Sequence, residues 1–442
     1  MNMYTSTLPI KAGQLAVVIG AGASGDAAAR LLSALGLRVR MLDRKAENIS
    51  DAFRSFADST GIDVQCGEHS PGQFAGAALA VTSPGVPVHV LRPLLEQAAA
   101  LPEHKEAGLG AISLLGEMEL ALSCVREPVL AVTGSSGKTT TVSLAAAMLE
   151  QAGKKVFLGG NIGTPLSAYV LNGGGADVLV LELSSFQLQG CSTIKPRAGI
   201  FLNLTENHLD HHKDMAEYAG AKFSMFALQD AEDVAILPEA LVEEFHKRQL
   251  KGRLEVFADR GRFPHSRLAG KHNAANAEAA FLAAREFGVS EKDAAVAVAA
   301  FTPLRHRLEL AGELNGVTYI NDSKCTTVDS LRAALESFDG PVILMAGGKF
   351  KGGDLPALRE LLKKKVRKVV LFGASREIFT AAWEGAVPIA WHGRMEPAFA
   401  EARLTAQHGD AVLLSPATSS YDLYKNYKER GDHFCRLVKE LA

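Results

Sequence analysis

The stretch Val132-Thr133-Gly134-Ser135-Ser136-Gly137-Lys138-Thr139-Thr140 decides the fold of the central part of this chain. It follows the apolar run 128–132 and precedes a helix predicted over 141–149. A strand, a glycine-rich turn and a helix in this order point backbone N–H groups at a phosphate. Lys138 adds a positive charge, and Thr139 offers a hydroxyl to Mg²⁺. The stretch therefore predicts that residues 134–140 bind a nucleoside triphosphate.

The composition is that of a globular enzyme with several domains. A length of 442 residues predicts two or three domains. The net charge of −2 provides no field that would attract nucleic acid or an anionic membrane. Five dispersed cysteines without a C-x-x-C pair predict free thiols in a reducing compartment. The apolar run 15–19 is too short to span a membrane, so we expect no signal peptide, no membrane insertion and a cytoplasmic location.

Short apolar runs alternate with amphipathic or alanine-rich segments along two thirds of the chain, which predicts an α/β fold with parallel sheets. The run 177–182 is so uniformly apolar that we expect a central, parallel strand. Three blocks are predicted, over residues 1–110, 111–303 and 304–442. The other predicted strands cover 15–19, 38–42, 78–82, 317–320, 342–346, 368–372 and 411–414.

A second glycine-rich loop, Gly20-Ala21-Gly22-Ala23-Ser24-Gly25, follows the first predicted strand, and Asp43 stands 18 residues after Gly25. This spacing is typical of dinucleotide folds, in which the acid reaches a ribose hydroxyl. The loop alone is compatible with a nicotinamide or flavin cofactor, or with a packed turn that binds nothing. Beside a triphosphate site, a UDP-linked substrate fits better than a redox cofactor. The two loops together favour a ligase or kinase acting on a nucleotide-activated substrate.

Acidic and histidine residues supply candidate metal ligands. Glu182 ends the apolar run 177–182, where α/β sheets place ligand-binding groups; the alternative is that it caps the next helix. The stretch 203–212 contains three histidines, so zinc must be considered. Without a nearby cysteine, oxygen-liking cations are favoured, and one histidine with carboxylates can complete a second Mg²⁺ site. We expect His211 and His212 to lie in a solvated polar loop, and the pattern alone indicates only a solvated helix lysine at Lys222.

These motifs together resemble the Mur ligase family over nearly the whole chain. The resemblance rests on ordered motifs, which are Gly20–Gly25 with Asp43, Ser83-Pro84-Gly85, residues 133–139, Gly159-Gly160-Asn161-Ile162-Gly163, residues 182–187, residues 203–210, Gly270 to Asn276, His306-Arg307, Asn321-Asp322-Ser323-Lys324 and Ser415-Pro416-Ala417. The ending with Asp422, Lys425 and Arg430-Gly431 favours the glutamate-adding members. The chain departs from the usual family pattern at Ser136, Phe350, residues 418–419 and Tyr427.

The resemblance implies a Rossmann-like N-terminal domain, a central P-loop ATPase-like domain and a Rossmann-like C-terminal domain. It implies an ATP-dependent ligase that adds D-glutamate to UDP-N-acetylmuramoyl-L-alanine through an acyl phosphate. Another Mur-type or folylpolyglutamate-type ligase, or L-glutamate as the added amino acid, is the alternative. The implied cofactors are ATP, Mg²⁺ at two sites with Mn²⁺ as a substitute, and a CO₂-derived carbamate on Lys222. We expect a monomer whose partners are small molecules and not nucleic acids.

The resemblance also assigns site residues. The implied catalytic residues are Lys138, Glu182, His208 and Lys222. The implied metal ligands are Thr139, Glu182, His208 and carbamylated Lys222. The implied ATP-binding residues are 134–140 with Asn273, Asn276, Arg307 and Asp322. The implied UDP-substrate residues are Gly22, Ala23, Ser24, Asp43, Arg44, Ser83, Asn161 and His208. The implied amino-acid-binding residues are Lys324, Thr326, Lys351, Ser420 and Tyr427.

Overall fold

The computed structural model describes residues 6–83, 86, 88–205, 212–266, 268, 271–302, 305–338 and 340–441. Its strands form three successive sheets, of five, six and six strands. Among the described residues, every pairing between these strands is parallel except one. The predicted α/β fold is therefore confirmed.

The first sheet has the strand order β3-β2-β1-β4-β5. Its strands are β1 (Leu15–Ile19), β2 (Arg38–Asp43), β3 (Asp63–Cys66), β4 (Ala77–Thr82) and β5 (Ser113–Gly116). The accompanying helices are α1 (Ala23–Ala34), α2 (Asp51–Thr60), α3 (Val88–Ala100), α4 (Pro102–Glu106) and α5 (Glu117–Leu122). Strand β5 pairs with β4 from Ser113 to Gly116, so this sheet extends past residue 110, where the first block was predicted to end.

The second sheet has the order β11-β10-β9-β6-β8-β7. Its strands are β6 (Val129–Thr133), β7 (Val156–Gly160), β8 (Val178–Glu182), β9 (Ala198–Phe201), β10 (Val234–Leu237) and β11 (Arg253–Val256). Its helices are α6 (Lys138–Gln151), α7 (Leu166–Leu171), α8 (Ser185–Gln189), α9 (Met215–Phe223), α10 (Val242–Lys247), α11 (Lys271–Ala284) and α12 (Glu291–Ala300). Strand β8 is buried throughout and pairs with β6 and β7, as its uniformly apolar run predicts.

The third sheet has the order β12-β13-β17-β14-β15-β16, with β12 antiparallel to β13. Its strands are β12 (Glu309–Leu314), β13 (Val317–Asn321), β14 (Val342–Ala346), β15 (Val366–Phe372), β16 (Ile389–His392) and β17 (Ala411–Leu414). Its helices are α13 (Val328–Glu336), α14 (Arg359–Lys365), α15 (Arg376–Trp383), α16 (Met395–Thr405) and α17 (Tyr427–Lys439). The four strands predicted here are confirmed, whereas β12 and β16 were not predicted.

Short 3₁₀ turns complete the secondary structure, at Ala46–Asn48, Pro71–Phe74, Ser224–Phe226, Glu239–Leu241, Arg285–Phe287 and Pro356–Leu358. All five cysteines are free thiols, as predicted. Across the described ranges, the helices are too short or too polar to cross a membrane. The division into domains at residues 110 and 303 stays a prediction, and Pro303 and Leu304 lie outside the described residues.

The carboxyl ends of the parallel strands position the polar residues singled out in the sequence. Asp43 ends β2 in the first sheet, and Glu182 ends β8 in the second. The two glycine-rich loops leave the carboxyl ends of β1 and β6. Because ligands of open α/β sheets bind at this edge, the fold places both loops where a nucleotide can reach them.

Candidate active site

The loop between β6 and α6 requires its two glycines. Gly134 has φ of 153° and Gly137 has φ of 80°, conformations that side-chain-bearing residues rarely adopt. A Cβ on Gly137 would also lie 3.0 Å from the side-chain oxygen of Asn276. The helix begins at Lys138, three residues before the predicted start, so the N-terminal turn of α6 adjoins the loop.

The two serines of this loop tie it to the segment that follows β9. Ser135 Oγ donates to the carbonyl of Thr205 and accepts from its N–H, both over 3.0 Å. Ser136 N–H donates to Asn203 Oδ1 over 2.9 Å, and Asn203 Nδ2 donates back to the Ser136 carbonyl over 3.2 Å. Ser136, where the chain departs from the family pattern, therefore contacts Asn203 through its backbone N–H and carbonyl.

Lys138 folds back over its own loop. Its Nζ donates to the carbonyls of Gly134 over 2.7 Å and Ser135 over 3.1 Å. Burial lowers the pKa of Lys138; the carboxylate of Glu182 opposes this shift, and the guanidinium of Arg307 adds to it. The amine is therefore within electrostatic reach of Glu182.

Glu182 is a buried carboxylate with one unused oxygen. The residue is 2% exposed; its Oε1 accepts from Asn161 Nδ2 over 2.9 Å, and its Oε2 is buried without a hydrogen-bond partner. It does not cap α8, because Ser184 does so through Gln187 N–H. A buried carboxylate needs a cation or donors, so Glu182 fits a divalent cation.

The described residues contain no group of three or more His, Cys, Asp or Glu side chains that could hold a metal by themselves. A cation at Glu182 would therefore need other oxygen ligands, such as a hydroxyl or phosphate oxygens. His208 lies outside the described residues.

Lys222 is a buried lysine beside the phosphate loop, so the expectation of a solvated helix lysine is wrong. It is 1% exposed, and its Nζ donates to the Gly134 carbonyl over 2.9 Å and to Thr133 Oγ1 over 3.3 Å. Burial lowers its pKa well below the ordinary value; Lys138 acts in the same direction, and Glu182 opposes them. The resemblance, and not the local pattern, identified this residue.

The predicted ATP-binding residues gather around one pocket of about 770 Å³ between the second and third sheets. The predicted residues that line it are Ser136, Gly137, Thr140, Asn273, Asn276, Arg307 and Asp322. Asp322 accepts from Ser415 Oγ over 2.8 Å and from Leu308 N–H over 3.3 Å. Burial raises the pKa of Asp322 to about 7, although these bonds oppose the shift. Sequence positions far apart therefore form one cavity beside the phosphate loop.

The predicted amino-acid-binding residues are only partly brought together. Lys324 lines the same pocket, and its Nζ lies 4.2 Å from the centre of the Tyr427 ring. Burial lowers the pKa of Lys324 to about 8. Lys351 instead lies 5.8 Å from the ring centre of Tyr421. Ser420 is buried after β17, and Thr326 precedes α13.

Arg430 is a structural residue of this region to which sequence reasoning assigned no role. It is fully buried; its Nη2 donates to the Ser323 carbonyl over 2.8 Å and to the Thr418 carbonyl over 3.1 Å. Its Nε donates to Ser323 Oγ over 3.0 Å. The guanidinium joins the turn after β13 to the segment after β17. Only its place in the quoted C-terminal motif could have drawn attention to it.

The N-terminal glycine-rich loop packs closely against its neighbours. A Cβ on Gly25 would lie 1.7 Å from the Gly20 carbonyl oxygen, and Ser83 Oγ donates to that oxygen over 2.9 Å. Asp43 Oδ2 accepts from Ala21 N–H over 2.8 Å. Burial alone would raise the pKa of Asp43, but hydrogen bonds from Ala21 and its other neighbours outweigh it and lower the pKa. Asp43, at the carboxyl end of β2, therefore stabilises the loop by a hydrogen bond to its backbone.

The remaining predicted UDP-substrate residues lie around this loop or farther along the cleft. Gly22 caps α1, and Ala23 and Ser24 form its first turn. Arg44 is largely exposed and lies 3.7 Å from Glu68. Asn161 follows β7 in the second sheet and contacts Glu182 through its side-chain amide.

A second pocket lies between residues of the first sheet and helix α8 of the second. It is lined on one side by Ser83 and on the other by α8 residues Phe186 and Gln187. Ser83 also contacts the N-terminal loop through the Gly20 carbonyl, and α8 begins three residues after Glu182.

His212 is buried, so the expectation of a solvated loop is wrong for this residue. It is 1% exposed, its Nε2 lies 2.9 Å from Ser185 Oγ, and its ring stacks on Phe186 at 5.5 Å between centres. His211, Pro84 and Gly85 lie outside the described residues.

Three family models match successive parts of the chain. They are the Mur ligase MurD-like N-terminal domain over residues 14–102, the Mur ligase middle domain over 132–258 and the Mur ligase glutamate ligase domain over 306–418. Among solved structures, the MurF ligase from Thermotoga maritima in complex with ADP matches with a TM-score of 0.62 and 16% identity, over 92% of this chain and 96% of that one. This likeness concerns the fold.

Curated relatives match over almost their full lengths. The UDP-N-acetylmuramoylalanine–D-glutamate ligase of Desulfovibrio desulfuricans is 55% identical, over 98% of each chain. The protein of the same name from Lawsonia intracellularis is 49% identical, over 96% of this chain and 94% of its own. With these relatives and the three family models in order along it, the chain belongs to the Mur ligase family.

Proposed function

We propose that this protein is an ATP-dependent ligase that joins D-glutamate to UDP-N-acetylmuramoyl-L-alanine, with release of ADP and phosphate, in cytoplasmic synthesis of peptidoglycan precursors. The observation that carries this proposal is the buried, unpartnered oxygen of Glu182 within electrostatic reach of Lys138 in the phosphate loop. A second glycine-rich loop after β1 provides a place for the nucleotide of the other substrate. The D-glutamate ligases that are 49–55% identical over nearly the whole chain support the choice of substrates.

The N-terminal loop would hold the UDP end of the substrate. Backbone N–H groups of Gly22, Ala23 and Ser24 start α1 and suit the diphosphate. Asp43 and Arg44 would face the nucleoside, and Ser83 lines a pocket together with Phe186 and Gln187 of α8. The muramoyl and alanyl groups would then lie in that pocket, with the terminal carboxylate toward Glu182.

The phosphate loop would hold ATP with its γ-phosphate facing that carboxylate. Backbone N–H groups from Gly137 to Thr140 would bind phosphate oxygens, since those of Ser135 and Ser136 already donate to Asn203. Lys138 would turn from its loop carbonyls to the phosphates. Asn273 and Asn276 would face the adenine, and Arg307 and Asp322 would lie at the ribose and phosphates. The carboxylate oxygen attacks the γ-phosphorus and breaks its bond to the β-phosphate oxygen, which gives the acyl phosphate and ADP.

The second step forms the amide bond. The glutamate amine attacks the acyl carbon, the carbon–oxygen bond to phosphate breaks, and the amine releases a proton. Lys324, Thr326, Lys351, Ser420 and Tyr427 would bind the carboxylates of the incoming amino acid. The cationic Lys324 beside the Tyr427 ring supports this assignment more directly than Lys351, which faces Tyr421.

Thr139, Glu182, His208 and a carbamylated Lys222 would hold two Mg²⁺ ions. Such ions neutralise the charge that develops on the phosphates during the transfer. The free oxygen of Glu182 supports the first site. The burial of Lys222 beside Gly134 supports the second assignment, because a desolvated amine reacts with CO₂ in its neutral form and the adduct is a carboxylate.

The test is a substrate panel. With UDP-N-acetylmuramoyl-L-alanine, ATP and Mg²⁺, we expect D-glutamate to give ADP, phosphate and the amide product, and L-glutamate to give little. Release of phosphate without acceptor serves as the background. Failure to form product across metal and bicarbonate concentrations would refute the proposal, and turnover with another acceptor or with L-glutamate would identify a different ligase of this family.

A further inference from the structure

Arg307 reaches from the third sheet's side of the pocket to the phosphate loop. Its Nη2 donates to Thr139 Oγ1 over 2.5 Å, a contact between residues 168 positions apart. Thr139 lies in the first turn of α6. The contact therefore joins the C-terminal part of the chain to the loop.

The backbone presents Arg307 in a defined direction. Its neighbours His306 and Leu308 have φ of 65° and 46°, a region that L-residues with side chains seldom occupy. His306 Nδ1 accepts from Asn321 Nδ2 over 3.0 Å, and Leu308 N–H donates to Asp322 over 3.3 Å. These bonds hold the turn on both sides of Arg307, so the backbone directs its guanidinium towards Thr139.

The guanidinium lies in the field of the same carboxylate that fits a metal. Glu182 and Asp322 both favour the charged form of Arg307 against the effect of its burial. Glu182 has an oxygen without a partner, and Thr139 has a hydroxyl occupied by the arginine. Arg307 thus supplies a positive charge to the pair of side chains that would hold a divalent cation.

A guanidinium and a divalent cation at Thr139 oppose each other. A bound Mg²⁺ lies about 2.0–2.1 Å from its oxygen ligands, and a guanidinium nitrogen 2.5 Å from the same oxygen would leave two positive groups close together in a buried place. Like charges repel most strongly where water is excluded. Phosphate groups remove the conflict, because they bind both an arginine and a metal.

We propose that Arg307 competes with the divalent cation for the Thr139 hydroxyl, so that the cation binds tightly only together with nucleotide phosphates that draw the guanidinium away. This inference rests on the proposed function, because it uses the metal and nucleotide sites assigned there. Arg307 is then a positioning residue: its contact with Thr139 delays the divalent cation until the nucleotide is bound.

The test measures Mn²⁺ binding to the full chain by electron paramagnetic resonance, with no substrate turnover. Without nucleotide, we expect Arg307→Gln to bind Mn²⁺ at least fivefold more tightly than the wild type. Arg305→Gln is the matched control, since Arg305 is two residues away, exposed and paired with Asp432; it should bind as the wild type does. With ADP present, after subtraction of Mn²⁺ bound by ADP alone, the advantage of Arg307→Gln should disappear.

Equal Mn²⁺ affinity of the wild type and Arg307→Gln without nucleotide would overturn the inference. If Arg307→Gln does not fold, Arg307→Met, which keeps the aliphatic stem, is measured against the same expectations. Thr139→Val separates this failure from that of the proposed function. If Thr139→Val leaves Mn²⁺ binding with ADP unchanged, the proposed metal site is wrong and the competition fails with it.

Discussion

Asn161 and Glu182 form a pair in which the amide of one holds a single oxygen of the other, over 2.9 Å, and leaves the second oxygen buried and unbonded. We expect Glu182→Gln to lower kcat at least about 100-fold, because a neutral amide cannot stabilise the cation that the transfer needs. The thermal unfolding midpoint should not fall, since the substitution removes a buried charge. Phosphate release and calorimetry measure both, with the exposed Glu150→Gln as control. Retained activity would exclude Glu182 from the metal site.

Lys222→Met tests whether the buried amine lowers the stability of the protein while being required for its activity. Replacing a desolvated lysine by an apolar side chain of similar length should raise the thermal unfolding midpoint at pH 7 and abolish turnover. Between the lowered pKa and 10.5, the unfolded lysine binds a proton that the folded one does not. The unfolding midpoint of the wild type should therefore approach that of Lys222→Met as the pH rises through this range.

Thermal melts between pH 7 and 9 measure this difference, and the exposed Lys251→Met is the control. A Lys222→Met protein that is less stable than the wild type at every pH would show that the amine contributes more through its hydrogen bonds than its burial costs. Incubation of the wild type with ¹³C-bicarbonate should give a carbamate signal in carbon NMR that Lys222→Met lacks.

Gly25→Ala should disrupt the N-terminal loop, because its methyl group would lie 1.7 Å from the Gly20 carbonyl oxygen. We expect a loss of about 1–3 kcal/mol in the free energy of unfolding and weaker binding of UDP by calorimetry. Gly22→Ala is a close control for stability, since nothing lies within 4 Å of its added Cβ. Equal stability of the two variants would contradict the close packing of the loop.

Asp322 should make the stability of the protein depend on pH. Its pKa is about 7 in the folded chain, against an ordinary 3.8, so the folded state retains a proton that the unfolded state has lost. The stability it contributes is complete below pH 3.8 and is lost as the pH rises to about 7. Asp322→Asn should therefore flatten the decline of the unfolding midpoint between pH 5 and 8, whereas the exposed Asp58→Asn should leave it unchanged.

Local patterns predicted both glycine-rich loops and the most apolar strands, because an apolar run and a turn with required glycines are properties of neighbouring residues. The strands predicted were β1, β2, β4, β6, β8, β13, β14, β15 and β17. Strand β12 was missed since Glu309–Leu314 is neither uniformly apolar nor strictly alternating, and it pairs antiparallel at an edge. Strand β5 was missed because it is short and only partly buried.

The site was predictable where motifs fix it and unpredictable where distant segments meet. Lys222 contacts Gly134 across 88 positions, so its own helix carries no sign of that burial. His212 is polar in sequence but becomes buried because Phe186 and Ser185 lie against it. The family resemblance supplied the role of Lys222, and the structure alone supplied the bond between Arg307 and Thr139.

The position of β17 in the third sheet has a consequence for biosynthesis. When residues up to Thr405 have left the ribosome, five of the six strands of this sheet exist, yet β13 and β14 are not neighbours, because β17 lies between them. Arg430, which joins the segments after β13 and β17, is made later still. The first two sheets are complete in chain order before this point, so the nucleotide loops can form during synthesis. The third sheet is completed last, so the proposed ligase activity requires that β17 and Arg430 have been synthesised.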